Sequence, residues 1–214
     1  MRNISVLASF LTVCALCGPA GAQTTAYPSK PIKLVLGFAP GGAADYVSRT
    51  VGDALSRALG QPVVIENRAG AGSSIAAELV SKAAPDGYTM LIASPSSISV
   101  NPALNPKLGY SPRDLLPITK VTSSPLVIAV YPGTGVKSVQ ELIALAKKEP
   151  GKLNYATSGN GSAPHLGAAW FSQVAGVQMV HIPFRGGGPA IQSVVAGDTQ
   201  LTFGTPPSVL SMIQ

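Results

Sequence analysis

Charge, thiols and long apolar runs are all in short supply in this chain, and each shortage closes off a class of function. Only 11% of the 214 residues are charged, and Lys147-Lys148 is the single adjacent basic pair. Tyr and Phe are not interleaved with the basic residues as a base-stacking surface requires, so no nucleic-acid partner is expected. Cys14 and Cys17 are the only cysteines, and the two histidines, His165 and His181, stand 16 positions apart. A transition-metal site lacks its ligands, and neither a metal nor another cofactor is expected.

No segment is apolar over the roughly 20 residues that a membrane span needs. The apolar run at residues 4–16 reads instead as part of an export signal, with Arg2 before it and Ala20-Gly21-Ala22 after it as an A-x-A cleavage site. Cleavage behind Ala22 leaves 214 − 22 = 192 residues from Gln23, without thiol or disulfide. Stability must then come from packing, and the expected location is the periplasm. A lipid anchor on one of the cysteines is the rival reading, but Val13 and Leu16 stand where that processing wants a small residue. The formal charge of +6, or +5 without Arg2, favours anionic partners only weakly.

Hydrophobic residues make up 46% of the chain, ample for a core. Short apolar runs alternate with stretches of helical period, the pattern of an α/β protein with a mostly parallel sheet and about seven strands. Strand 32–38, the turn Ala39-Pro40-Gly41-Gly42 and a helix over 43–59, with Gly60 as its C-cap, form the first unit. Strand 63–66, a glycine loop over 67–73, a helix from Ser74 to about Ala84 and strand 88–94 follow. Residues 95–117 are proline-rich and lose periodicity, which predicts a long irregular connection. Strand 126–131 leads to a helix announced by the S-x-x-E box of Ser138 and Glu141. Further strands are expected at 154–156, 178–182 and 200–203, with helices starting near Pro164 and Pro189. The chain divides into a signal at 1–22, a first lobe at 23–123 and a second at 124–214.

Three glycine-rich junctions lie between a strand and a helix, where backbone N–H groups and the helix N-terminus suit an anion. The first is Gly41-Gly42, with Ala43 and Ala44 behind it and Asp45 in the first helical turn. An ordinary turn needing glycine for its angles, with Asp45 compensating the helix dipole, is the alternative account. The second is Ser158-Gly159-Asn160-Gly161, followed by His165, which can donate to a ligand or to the loop. The third is Phe184-Arg185-Gly186-Gly187-Gly188, where Arg185 can fork onto a carboxylate or remain a solvated charge. His181, in an apolar strand, reads as a core or edge histidine. A fourth junction, Gly70-Ala71-Gly72-Ser73-Ser74, opens like a dinucleotide fingerprint, but Ile75 stands at the third glycine position and no acidic residue lies about 20 positions on. Ser158 lacks a G-x-S-x-G context, so a hydrolase is also disfavoured.

Seven segments stand out as a set: Tyr27-Pro28-Ser29-Lys30-Pro31-Ile32, Phe38-Ala39-Pro40-Gly41-Gly42-Ala43-Ala44-Asp45, Val64-Ile65-Glu66-Asn67-Arg68-Ala69-Gly70-Ala71-Gly72, Ala84-Pro85-Asp86-Gly87-Tyr88, Gly151-Lys152-Leu153-Asn154-Tyr155, Ser158-Gly159-Asn160-Gly161-Ser162 and His181-Ile182-Pro183-Phe184-Arg185-Gly186. Together they resemble the Bug-type periplasmic solute receptors of tripartite tricarboxylate transporters. The resemblance implies a two-lobed periplasmic-binding-protein (clamshell) fold with βα units in each lobe. It implies a monomeric receptor, not an enzyme, that closes on a small carboxylate and hands it to the membrane permease subunits of the transporter. Gly42, Ala43, Ala44 and Asp45 would form the first-lobe half of the grip, and Ser158, Gly159, Asn160 and Gly161 the second. The sequence departs from the family at Gly204-Thr205, where an Asp-Asn pair is common. The family's usual chain is also longer and returns to complete the first lobe, so that lobe is expected to be incomplete here. A sensor receptor and a non-functional fragment are the alternative readings, with a nucleotide-dependent or hydrolytic enzyme behind them.

Overall fold

The computed structural model describes residues 26–210. The export signal, its cleavage site at Ala22, and Cys14 and Cys17 lie outside the described residues.

Two sheets carry the two lobes. In the first, β1 (Ile32–Leu36) lies between β2 (Val63–Asn67) and β3 (Thr89–Ile92), all parallel. Leu34 pairs with Ile65 on one side and Met90 on the other. A central parallel strand is covered on both faces, and Ile32, Leu34, Val35 and Leu36 are accordingly buried. Lys33 is the exception and forms an ion pair with Glu66 at 2.8 Å.

Helix α1 (Ala43–Leu59) lies against β1 and β2. Its approach is close: a Cβ on Gly52 would stand 2.9 Å from Ile65 Cδ1. The helix ends where the sequence predicts, with Gly60 in the left-handed conformation at φ 67° and its N–H returned to Ser56 O. Helix α2 (Ser74–Ser81) packs on β3 and β1.

The proline-rich connection corrects the expectation of an irregular chain. Residues Ser96–Val100 form a wide helical turn that runs into the short α3 (Asn101–Leu104). A single 3-10 turn over Pro112–Asp114 follows, closed by a capping box in which Ser111 Oγ accepts from Arg113 N and Asp114 accepts from Ser111 N. Serine hydroxyls substitute for the missing apolar period, with Ser97 Oγ donating to Ser94 O and the Ser94 and Ser96 hydroxyls 2.7 Å apart.

The second sheet has the order β4 (Val127–Val130), β7 (Leu201–Gly204), β5 (Asn154–Thr157), β6 (Val180–Pro183). Only β4 is antiparallel, against β7. Helices α4 (Val139–Lys148), α5 (Ala163–Ala175), α6 (Gly187–Ala196) and α7 (Pro206–Leu210) belong to this half of the chain. At α4 the capping box is half formed. Ser138 Oγ accepts from Glu141 N at 3.2 Å, but the Glu141 carboxylate accepts from Lys137 N. The core joins Leu142 and Ala146 of α4, Leu153, Tyr155, Ala168, Val177, Leu201 and Phe203.

Leu201 is fully buried on the central strand β7. Leu201→Ala should lower stability by about 3 kcal/mol, the transfer loss plus an unfilled cavity. Urea denaturation checks this, and a loss near zero would mean that β7 is not central to the core.

Candidate functional site

In each sheet the chain leaves a central strand, adds a neighbour on one side, and then returns to add one on the other. β1 gains β2 and then β3; β5 gains β6 and then β7. Such reversals leave a crevice outside the carboxyl end of the central strand. The segments found there are Gly37-Phe38 after β1 and Ser158-Gly159-Asn160 after β5. They line one cleft of about 190 Å³ together with Gly70, Ala71, Gly72, Ser73, Pro183, Phe184 and Arg185.

Of the residues expected from sequence, Ser158, Gly159, Asn160 and Arg185 are on the cleft wall. Gly41, Gly42, Ala43, Ala44, Asp45, Gly161 and His165 are not among its lining residues. The Gly41-Gly42 turn instead meets the third glycine junction, backbone to backbone. Ala39 N donates to Arg185 O at 2.9 Å. A Cβ on Gly188 would lie 2.9 Å from Pro40 O, and one on Gly42 would lie 3.2 Å from the amide nitrogens of Gly187 and Gly188. Glycine is needed here for close approach of the lobes.

Asp45 is buried at the base of this turn. Its carboxylate accepts from Arg49 Nε and Nη2, both at 3.0 Å, from Asn67 Nδ2 at 3.0 Å and from Gly41 N at 3.2 Å. Burial works to raise this carboxyl, but the bonds from Arg49, Asn67 and Gly41 outweigh it and hold the group below its usual 3.8. Asn67 also donates to Phe38 O at 3.0 Å, so the same cluster fixes the backbone of a wall residue.

Residues 158–161 are held differently. Ser162 caps α5, accepting from His165 N at 3.4 Å and donating to Gly159 O at 2.6 Å. His165 Nδ1 accepts from Gly161 N at 3.2 Å, so the ring meets the loop backbone, but as an acceptor and not as the donor expected from sequence. The rings of His165 and His181 stack at 4.1 Å, and His181 Nε2 lies 2.6 Å from Thr157 Oγ1. Burial and then the charge of His165 push the His181 imidazole down to about 4, and burial lowers that of His165.

The wall at Gly70 to Ser73 is visible in the sequence only as a failed dinucleotide fingerprint. Its glycines carry the same signal as the other three junctions. Asn101, from the proline-rich connection, gives no local signal. Its Nδ2 reaches Ala71 O and Gly72 O at 3.1 Å and Ser74 Oγ at 2.8 Å, bracing this wall.

The electrostatics favour an anion. The lining residues include no Asp or Glu, and their one charge is the Arg185 guanidinium, exposed and without a hydrogen bond or ion pair among the described residues. With the Ser158 hydroxyl and the Asn160 amide, the wall offers mainly donors to a carboxylate.

Residues 47–214 match the family described as tripartite tricarboxylate transporter family receptor. The chain belongs to this family. Protein BugT of Bordetella pertussis is 35% identical over 215 residues, covering 100% of this chain and 65% of BugT. A solved structure described as a periplasmic transporter superimposes with a TM-score of 0.81 at 41% identity, covering 88% of this chain and 63% of that one. MatC from Rhodopseudomonas palustris, solved with bound malate, gives a TM-score of 0.81 at 31% identity, with 86% of this chain and 63% of MatC covered. The two-lobed α/β clamshell expected from the resemblance is therefore the fold. The chain spans about 63% to 65% of the length of BugT and of a second curated relative from B. pertussis.

Ser73 is the strained point of the wall. It has φ 74°, is fully buried, and its Oγ has no hydrogen-bond partner among the described residues. The left-handed backbone turns the hydroxyl away from the first amides of α2 and over Gly37, where a Cβ would lie 1.9 Å from it. The conformation costs about 1–2 kcal/mol for a non-glycine residue, and an unmet hydroxyl about 1–3 kcal/mol. Ser73→Gly should therefore raise stability by about 1 kcal/mol, after glycine's greater chain entropy offsets part of the gain. A lowered urea midpoint in this variant would contradict the assignment of strain.

Proposed function

We propose that this chain is the ligand-holding part of an extracytoplasmic receptor that binds a small organic carboxylate and delivers it to the permease subunits of a tripartite tricarboxylate transporter. The observation that carries the reading is the cleft itself. It lies between two lobes, at the carboxyl ends of β1 and β5, and the single charge on its lining is the Arg185 guanidinium, which has no partner among the described residues. MatC, built on the same fold, holds malate, which supports a carboxylate over other anions. Arg185, Ser158, Gly159 and Asn160 grip the ligand from the second lobe, within residues 124–214. Gly70 to Ser73 and Phe38 face them from the first, within residues 23–123. Gly41, Gly42 and the Asp45 cluster act behind the cleft by setting how closely the lobes approach.

The reading is of binding without chemistry. Among the described residues Ser158 makes no hydrogen bond to either imidazole; His165 Nδ1 is engaged by Gly161 and His181 Nε2 by Thr157. A serine nucleophile needs such a base within reach. The receptor works as a monomer in the periplasm, reached by the signal at residues 1–22.

A thermal-shift screen of malate, succinate, citrate, benzoate and glutamate tests this. A ligand at 100 times its Kd adds about 2.7 kcal/mol of stability. At least one acid should raise the Tm, and Arg185→Gln should weaken its binding about tenfold while leaving the ligand-free Tm unchanged. A shift with nucleotides and with none of the acids would defeat the reading.

A further inference from the structure

Residues 158–161 reach the cleft at one end and a pair of stacked histidines at the other. We propose that His165 and His181 are positioning residues, a stacked imidazole pair that holds the Ser158–Gly161 loop in its ligand-facing shape while the His165 ring stays neutral. The consequence for binding rests on the carboxylate-receptor reading; the hold on the loop does not.

Two bonds tie the pair to the loop. His165 Nδ1 accepts the Gly161 N–H at 3.2 Å, so that nitrogen carries no proton and the other ring nitrogen holds it. On the far side His181 Nε2 meets Thr157 Oγ1 at 2.6 Å, and Thr157 Oγ1 accepts from Gly159 N at 3.2 Å. Each imidazole thus fastens one glycine amide of the loop, His165 directly and His181 through Thr157. The glycines have little freedom to respond otherwise. A Cβ on Gly161 would lie 2.5 Å from Asn101 Oδ1, and one on Gly159 would lie 3.2 Å from Phe184 O.

The two ties respond differently to a proton. Thr157 can turn its hydroxyl hydrogen toward Gly159 O, at 3.5 Å, and accept from a protonated His181, so that tie survives. His165 has no such recourse. A proton on Nδ1 converts the acceptor of the Gly161 N–H into a second donor, and the bond is lost. The ring also sits in the first turn of α5, where the helix dipole opposes a positive charge. Stacking at 4.1 Å with an interplanar angle of 14° makes two positive rings repel, so charging one hinders the other. The remaining titratable neighbour is Tyr155 of β5, stacked on His181 at 5.1 Å and with its phenol raised by burial. Among the described residues, no Asp, Glu, Lys or Arg is a cause of either imidazole's shift.

The sign follows. Both rings titrate below the ordinary histidine value of 6.5, His181 at about 4, so the folded state prefers them neutral. The loop is held fully above the ordinary histidine value and loosens as the pH falls below it and His165 takes up its proton.

Amide hydrogen exchange at Gly161 and calorimetry with malate, each at pH 7 and pH 4.5, test the proposal on wild type, His165→Asn and His165→Ala. Asn presents a carbonyl oxygen near the position of Nδ1 and does not titrate. The Gly161 protection factor of wild type should be lower at pH 4.5 than at pH 7. In His165→Asn it should stay near the wild-type pH 7 level at both, and in His165→Ala it should be low at both. Malate affinity should follow the same pattern, with the acid's own protonation common to all three. Equal pH dependence in wild type and His165→Asn, or full protection in His165→Ala, would overturn the proposal. If the protection factors behave as expected but neither malate nor any acid of the screen binds, the positioning role stands and the receptor reading falls.

Discussion

The order in which strands join β1 and β5 is the constraint from which the rest of the molecule follows. Each of these strands receives one parallel neighbour from each direction, so the chain leaving its carboxyl end meets open space rather than a packed face. Two such ends, one in each lobe, face one cleft. Every other feature of the site either narrows that space or stiffens its walls. The interlocked turns at Gly41-Gly42 and Gly186 to Gly188 narrow it, because a side chain at Gly188 would meet Pro40 O at 2.9 Å and force the lobes apart. The Asp45 cluster stiffens it, since its carboxylate draws α1, β2 and, through Asn67, Phe38 into one hydrogen-bonded unit.

A buried carboxylate with Arg49 as partner would ordinarily be weak grounds for stability, because desolvation offsets much of the attraction. Here the orientation counts for more than the energy. Two bonds from one guanidinium and one each from an amide and a backbone N–H leave the Asp45 carboxylate little freedom, and its neighbours share that rigidity. On the opposite wall the fastening is by neutral groups, a serine cap and two imidazoles. One side of the cleft is held by charge that acid cannot easily remove, and the other by rings that it can.

Much of this is legible in the sequence where local chemistry decides it. The bounds of α1 follow from its apolar period and from Gly60, whose left-handed conformation ends the helix without tertiary help. Strands are shorter than the apolar runs, as at residues 32–38, because Gly37 and Phe38 leave β1 to line the cleft. The S-x-x-E box at Ser138 and Glu141 is half realised, since the carboxylate takes the nearer Lys137 N–H. The helical turns within residues 95–117 are hidden from the sequence because their hydrogen bonds come from Ser94, Ser96, Ser97 and Asn101, which carry no hydrophobic period. At the site, glycine junctions are recognisable one by one. Which of them face the cleft and which face each other depends on contacts such as Gly42 with Gly187, about which spacing along the chain says nothing.

The distribution of strain has a physical logic. Ala71 and Ser73 both adopt positive φ, and both are on the cleft wall, while the buried residues of β1 and β7 sit in regular strands. Unfavourable backbone and an unsatisfied hydroxyl persist only where surrounding packing over-determines them. Asn101 supplies part of that, with three bonds from a single amide to residues 71, 72 and 74. The parallel core supplies the rest. The strain at Ser73 is therefore held from outside, by Asn101 and by the packed strands beneath the wall, and not by a hydrogen bond of its own hydroxyl among the described residues.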